Sequence, residues 1–171
     1  MRRRGFCGQH GATLVELVMT IVIISVAIAG VVGAFSLIAG RGADPLNQTR
    51  AVALAQLYMD EILAQRFAEA SPNGGGAVSS AGADCGSAGP EGAESRATFD
   101  DVDDYDNLQD SPPENGEAQQ LTAYSGFEVA ITVSCAGGDV GLGGSEAKRI
   151  DIIITDPSRQ DYVFSAYRGN F

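Results

Sequence analysis

Between Glu16 and Arg41 the chain carries no charged residue, an apolar run of about 24 positions that as an α-helix reaches roughly 36 Å, enough to cross the hydrocarbon core of a bilayer. The run can cross a membrane once, and the rest of the 171 residues leaves room for one small globular domain, not for a two-domain enzyme. Arg2, Arg3 and Arg4 precede the run and no comparable cluster closely follows it. By the positive-inside rule the N-terminus stays in the cytoplasm and everything after the span is exported.

Charge narrows the partners. The formal net charge is −11, and with Arg2, Arg3 and Arg4 set aside 8 basic residues face 22 acidic ones, or −14. A head of that sign is not built to bind nucleic acid. His10 is the only histidine and Lys148 the only lysine, so if the first residues are removed, histidine-based triads and most zinc sites are excluded.

Three readings compete for the N-terminal segment. An ordinary secretory signal would have its small-residue cleavage site at Ala27-Ile28-Ala29. Against it, the apolar run continues through Val31, Val32, Phe35, Leu37 and Ile38, and Glu16 sits in its first turn, where a signal peptide has no use for a carboxylate. The second reading is a simple uncleaved anchor. The third rests on Gly11-Ala12-Thr13-Leu14-Val15-Glu16, which resembles the signal of type IV prepilins: glycine, a small or aromatic residue, Thr-Leu, and glutamate at the fifth mature position.

That resemblance implies a leader over residues 1–11, cut by a prepilin peptidase between Gly11 and Ala12 on the cytoplasmic side, with methylation of the new amine. It implies an assembly helix over 12–40, left intact for packing with other pilin subunits and the pilus assembly machinery. A lone ionisable group in a membrane helix is costly and needs a partner. In pilin-like packing the Glu16 carboxylate would meet the Ala12 ammonium of a neighbouring subunit and set the axial register; the plainer alternative has Glu16 snorkelling to the interface. The location implied is the bacterial inner membrane, with its lipid around the helix and the head in the periplasm, then the fibre at the cell surface. Loss of the leader would also remove Cys7 and leave Cys85 and Cys135. A pair in an exported domain suggests one disulfide, with two separately buried thiols as the alternative.

Gly40, Gly42 and Pro45 predict a break after the span. From Leu46 to Ala70 helix resumes: Val52, Leu54, Leu57, Tyr58, Ile62, Leu63 and Phe67 fall mostly three and four apart, giving a hinge and amphipathic helix over 41–70 that packs beneath a sheet. Ser71-Pro72-Asn73-Gly74-Gly75-Gly76 ends it, and 71–97 reads as a long loop within the head, 71–171. Phe127, Val129, Ile131, Val133 and Cys135 alternate with polar or small residues, Ile150, Ile152 and Ile154 alternate with Asp151, Ile153 and Thr155, and Asp156-Pro157-Ser158 turns the chain into Tyr162–Tyr167. The expected fold is α+β: a long N-terminal helix with transmembrane and amphipathic halves, packed on a three-stranded antiparallel meander.

Helix plus meander is the pilin arrangement, and two stretches resemble the minor pilin D (MshD) subfamily of mannose-sensitive haemagglutinin (MSHA) pili. They are Arg50-Ala51-Val52-Ala53-Leu54-Ala55-Gln56 with Met59 and Ile62, and Phe99-Asp100-Asp101-Val102-Asp103-Asp104-Tyr105 between the two cysteines. The second stretch, with Asp106 and Asp110, crowds carboxylates into a short loop. Such loops can hold calcium, with Asp101, Asp103 and Asp104 as the candidates, but the EF-hand pattern fails from Asp101, which meets Tyr105, and from Asp104, which meets Leu108. The preferred expectation is no cofactor: Phe99, Val102 and Tyr105 anchor the loop while the aspartates stay solvated or meet a basic patch on the next subunit.

Three functions are compatible with these residues. The first is a non-enzymatic minor pilin, incorporated into or initiating a fibre that supports surface attachment, or a related type II secretion pseudopilin; no nucleotide-binding loop is present to power it. The second is a membrane-anchored binding module whose head recognises a surface, a carbohydrate or a secreted substrate. The third is an anchored hydrolase using carboxylates such as Asp103 and Asp104, for which a solvated loop offers no separation of acid and base roles.

Overall fold

The computed structural model describes residues 13–41, 44–86 and 88–171; Gly11 and Ala12, the expected processing site, lie outside them. The chain divides into two compact units after Pro45. The first is dominated by α1, Leu14–Arg41. Its stretch Leu14–Ser36 is long and apolar enough to cross a membrane, and the side chains over 13–36 are exposed on every face. Three hydroxyls inside it are satisfied locally: Thr20, Ser25 and Ser36 donate to the carbonyls of Glu16, Ile21 and Val32, at 2.7, 2.7 and 3.0 Å. A polar group so paired is tolerable in hydrocarbon, where an unpaired one is not.

The next helix, α2, covers Asp44–Ala64 with Pro45 in its first turn, where a missing N–H costs nothing. Its buried stripe is Ala51, Leu54, Ala55, Tyr58 and Ile62. The helical spacing extended to Ala70, but α2 stops at Ala64 because the chain is captured by the acidic loop. The Arg66 N–H donates to the Asp100 carbonyl at 3.2 Å and the Val102 N–H to the Arg66 carbonyl at 3.0 Å. That short parallel bridge takes the backbone groups a further helical turn would have used, and Phe67 and Ala68 go instead to a small separate cluster with Ala83.

Four antiparallel strands form one sheet in the order β1-β2-β3-β4: Gln109–Asp110, Glu128–Cys135, Ala147–Thr155 and Asp161–Gly169. The three long strands are the expected meander; the two-residue β1 has no period to read and was not foreseen. Register places Val133, Ile150 and Ala166 in one row across the sheet, Ile131, Ile152 and Phe164 in the next, and Val129, Ile154 and Tyr162 in the third. Apart from Ala166, these rows join the α2 stripe, with Val102, Tyr105 and Phe127, in one core. Burying a side chain such as Ile152 contributes about 1.5–3 kcal/mol, whereas an exposed ion pair such as Arg159–Glu128 contributes at most about 1, so the apolar rows hold this unit together.

Connections are tied at specific points. At the β3–β4 turn the buried Asp156 accepts the N–H groups of Ser158 and Gln160 on Oδ1, at 2.7 and 3.0 Å, and the Asn47 amide on Oδ2 at 3.0 Å, clipping the start of α2 to the hairpin. Between β2 and β3, Gly137 lies where a Cβ would meet the Gly143 carbonyl oxygen at 1.8 Å, so no larger residue fits. Cys85 and Cys135 form a disulfide with Cα atoms 5.4 Å apart, fastening the long loop to the end of β2. The same loop is held a second time by the Asn170 amide, which accepts from Val78 N–H and donates to its carbonyl, at 2.7 and 2.9 Å.

Candidate functional site

Glu16 occupies the first turn of α1. The preceding Thr13 caps the helix, its hydroxyl accepting the Glu16 N–H at 3.2 Å, in the Thr-x-x-Glu spacing of a helix N-terminus. Among the described residues no ion pair includes the Glu16 carboxylate, and the side chain is exposed. A carboxylate near the positive end of a helix dipole is modestly stabilised, but that does not neutralise it in an apolar medium.

The acidic loop is the most unusual site of the second unit. Phe99, Val102 and Tyr105 anchor it as the sequence predicts: Val102 and Tyr105 are buried in the core, and the Phe99 and Tyr105 rings meet edge to face at 5.2 Å. Three of the four aspartates between them are not solvated, contrary to expectation, while Asp100 stays exposed. Asp101, Asp103 and Asp104 are 0, 1 and 1 % exposed. With Val102 and Tyr105 drawn into the core, a one-turn 3-10 helix over Asp103–Tyr105 carries its neighbours inward with them.

Asp101 and Asp104 organise that turn reciprocally. Asp101 Oδ1 accepts the N–H groups of Asp103 and Asp104 at 2.7 and 3.3 Å, and Asp104 Oδ2 accepts those of Asp100 and Asp101 at 2.8 and 3.1 Å. Each uses one oxygen. The other two, Asp101 Oδ2 and Asp104 Oδ1, are buried without a hydrogen-bond donor, as is Glu91 Oε2. Glu69, Glu94 and Asp100 complete the surroundings: carboxylate oxygens of Glu69, Asp100 and Asp101, of Glu69, Glu91 and Glu94, and of Glu94, Asp100 and Asp104 lie within 4.8 Å of one another in each trio. Arg66 pairs with Glu69, at 2.9 Å, and with Asp100. Burial, and then the carboxylates of Asp101 and Asp104, push Glu91 up to about 7, and burial raises Asp101 with Asp104 adding to it.

Asp103 turns the other way. Its Oδ2 pairs with Lys148, whose Nζ also donates to the Phe67 carbonyl at 2.6 Å and lies 4.4 Å from the centre of the Phe67 ring. Lys148 is 1 % exposed. Burial pushes Asp103 up to about 6 even though Lys148 draws it down. Of the three calcium candidates read from the sequence, Asp101 and Asp104 therefore share a site and Asp103 belongs to a different one. The role of Lys148 was missed, although its place in the alternation Lys148, Ile150, Ile152, Ile154 already puts it on the core face.

A second buried cation was also missed. Arg96, 8 % exposed, pairs with Glu61 and lies among the rings of Tyr58, Tyr105 and Phe99, 5.4, 4.9 and 5.8 Å from their centres. Tyr58 donates to Asp110 at 2.5 Å and Tyr105 to Glu61 at 2.8 Å. This cluster fixes the loop before the acidic turn against α2. Its arginine comes from a segment with no periodic signal, so only its tertiary partners reveal it.

No protein-family model matches this sequence, and it has no match among curated proteins or solved structures.

Proposed function

We propose that this chain is a type IV pilin-like minor subunit, anchored in the inner membrane through α1 with its head exported, and assembled with other pilins into a surface fibre. Among related systems the MSHA-type minor pilins suit it best, on Arg50–Gln56 and Phe99–Tyr105. The observation that supports it most is α1 itself: a capped helix, apolar and exposed on every face over 13–36, with internally satisfied hydroxyls and one carboxylate, Glu16, in its first turn. A simple anchor needs no such carboxylate, whereas lateral packing of like subunits gives it a purpose: the ammonium of a neighbouring chain. The second unit, with α2 against an antiparallel sheet, is consistent with a pilin head.

Mass spectrometry of the membrane-extracted protein tests the processing step. The expected mature chain begins at N-methylated Ala12; an intact Met1, or a start at Gly30, would overturn the reading. In cells making the fibre, Glu16→Ala should leave cleavage and insertion unchanged and reduce incorporation about tenfold or more, since loss of an ion pair outside water exceeds the ~1.4 kcal/mol that a factor of ten represents. Wild-type incorporation of Glu16→Ala removes the pairing role.

A further inference from the structure

We propose that Asp101, Asp104, Glu91 and Glu94, with Asp100 and Glu69 at the rim, form a binding site for a divalent cation, and that the cation is calcium. The cluster of carboxylates alone does not carry this, since acidic loops are commonly just solvated. The decisive feature is that two side chains almost wholly shielded from solvent, Asp101 and Asp104, each keep one oxygen with no donor. Their other oxygens are engaged by backbone N–H groups, which fixes both carboxylates in place. A buried carboxylate oxygen left unpaired is costly, and here both side chains also have carboxylate oxygens of other residues within 4.8 Å of one of their own.

Local cations do not account for them. Arg66 is committed to Glu69 and Asp100 on the rim, Lys148 to Asp103 and the Phe67 carbonyl, and the ion pairs of Arg96 go to Glu61 and Asp110. The donor chemistry selects the metal. All six groups are hard oxygen donors, with no thiolate or imidazole among them, which disfavours zinc and copper. Calcium takes six to eight oxygens in a flexible geometry, while magnesium demands a near-regular octahedron and sheds its water reluctantly. Carboxylates from three separate stretches, at 69, 91–94 and 100–104, grouped in three trios that overlap at Glu69, Glu94 and Asp100, suit the former. Because the ligands come from these separate stretches, the site does not depend on the EF-hand registers that fail at Tyr105 and Leu108. The site follows from the head alone, whatever α1 assembles with.

The test uses the full chain in detergent, stripped with EGTA and then titrated with calcium chloride. Equilibrium dialysis with radioactive calcium should show saturable binding with Kd on the order of 0.1–1 mM or tighter, the range of extracellular modules, with magnesium binding at least about tenfold more weakly. Thermal unfolding should shift upward with calcium. Glu91→Gln/Glu94→Gln removes two charges that take no part in fixing the Asp103–Tyr105 turn: it should unfold at or above the wild-type temperature without calcium, and lose at least about tenfold in calcium affinity together with the upward shift. Asp101→Asn/Asp104→Asn retains oxygens able to accept the same N–H groups and should likewise stop responding to calcium. Absence of saturable binding by the wild-type chain, or unchanged affinity in Glu91→Gln/Glu94→Gln, would overturn the proposal.

Discussion

Replacing Lys148 by Met should lower the unfolding free energy by about 3–5 kcal/mol, the usual consequence of breaking a buried ion pair from one side, and depress the thermal midpoint by about 10–20 °C. Methionine approximates the volume of the lysine stem, so little of the loss comes from a cavity. What remains is a carboxylate, Asp103, 1 % exposed and without its cation, and a Phe67 carbonyl without its donor. The second substitution is the informative one. In Asp103→Leu/Lys148→Met both charges are gone, and most of the stability should return, because a matched apolar pair costs no desolvation. Denaturant unfolding of the single and double variants measures this directly. A Lys148→Met protein within about 0.5 kcal/mol of wild type would show that the pair does not secure the acidic loop to β3.

Opening the Cys85–Cys135 disulfide should cost about as much. The sequence separation of 50 residues corresponds to about 4 kcal/mol in the chain-entropy account, a large share of the 5–15 kcal/mol that holds a typical domain. The loop it closes contains the buried Arg96 cluster and the acidic turn, so reduction releases both from the end of β2 at once. Labelling under denaturing conditions should find both thiols blocked until reductant is added, and Cys85→Ser/Cys135→Ser should unfold at markedly lower denaturant concentration. Free thiols in freshly exported protein would remove the disulfide from the account.

Where the sequence was legible, periodicity was the reason. The apolar run defined α1, the three-and-four spacing gave the α2 stripe, and alternation at Phe127–Cys135 and, broken only by Ile153, at Ile150–Ile154 gave the two central strands. Each is a local pattern enforced by one burial surface. The miss at the end of α2 has a tertiary cause: residues 65–70 keep good helix spacing, but pairing of Arg66 with Asp100 and Val102 wins the backbone groups. The same limit applies to the acidic loop. Its hydrophobic anchors were read correctly, but composition suggested water around Asp101, Asp103 and Asp104, and burial came from the anchors on either side. Glu69, Glu91 and Glu94 stand too far from Asp101 and Asp104 in sequence for any local motif to unite them.

The self-satisfied hydroxyls of α1 have a mechanical consequence. With Thr20, Ser25 and Ser36 already spending their protons on the helix backbone, these three hydroxyls have no donor left to offer a neighbour along the described part of the shaft. In the fibre proposed above, both its height and its rotation would then be indexed from one end, by the carboxylate of Glu16.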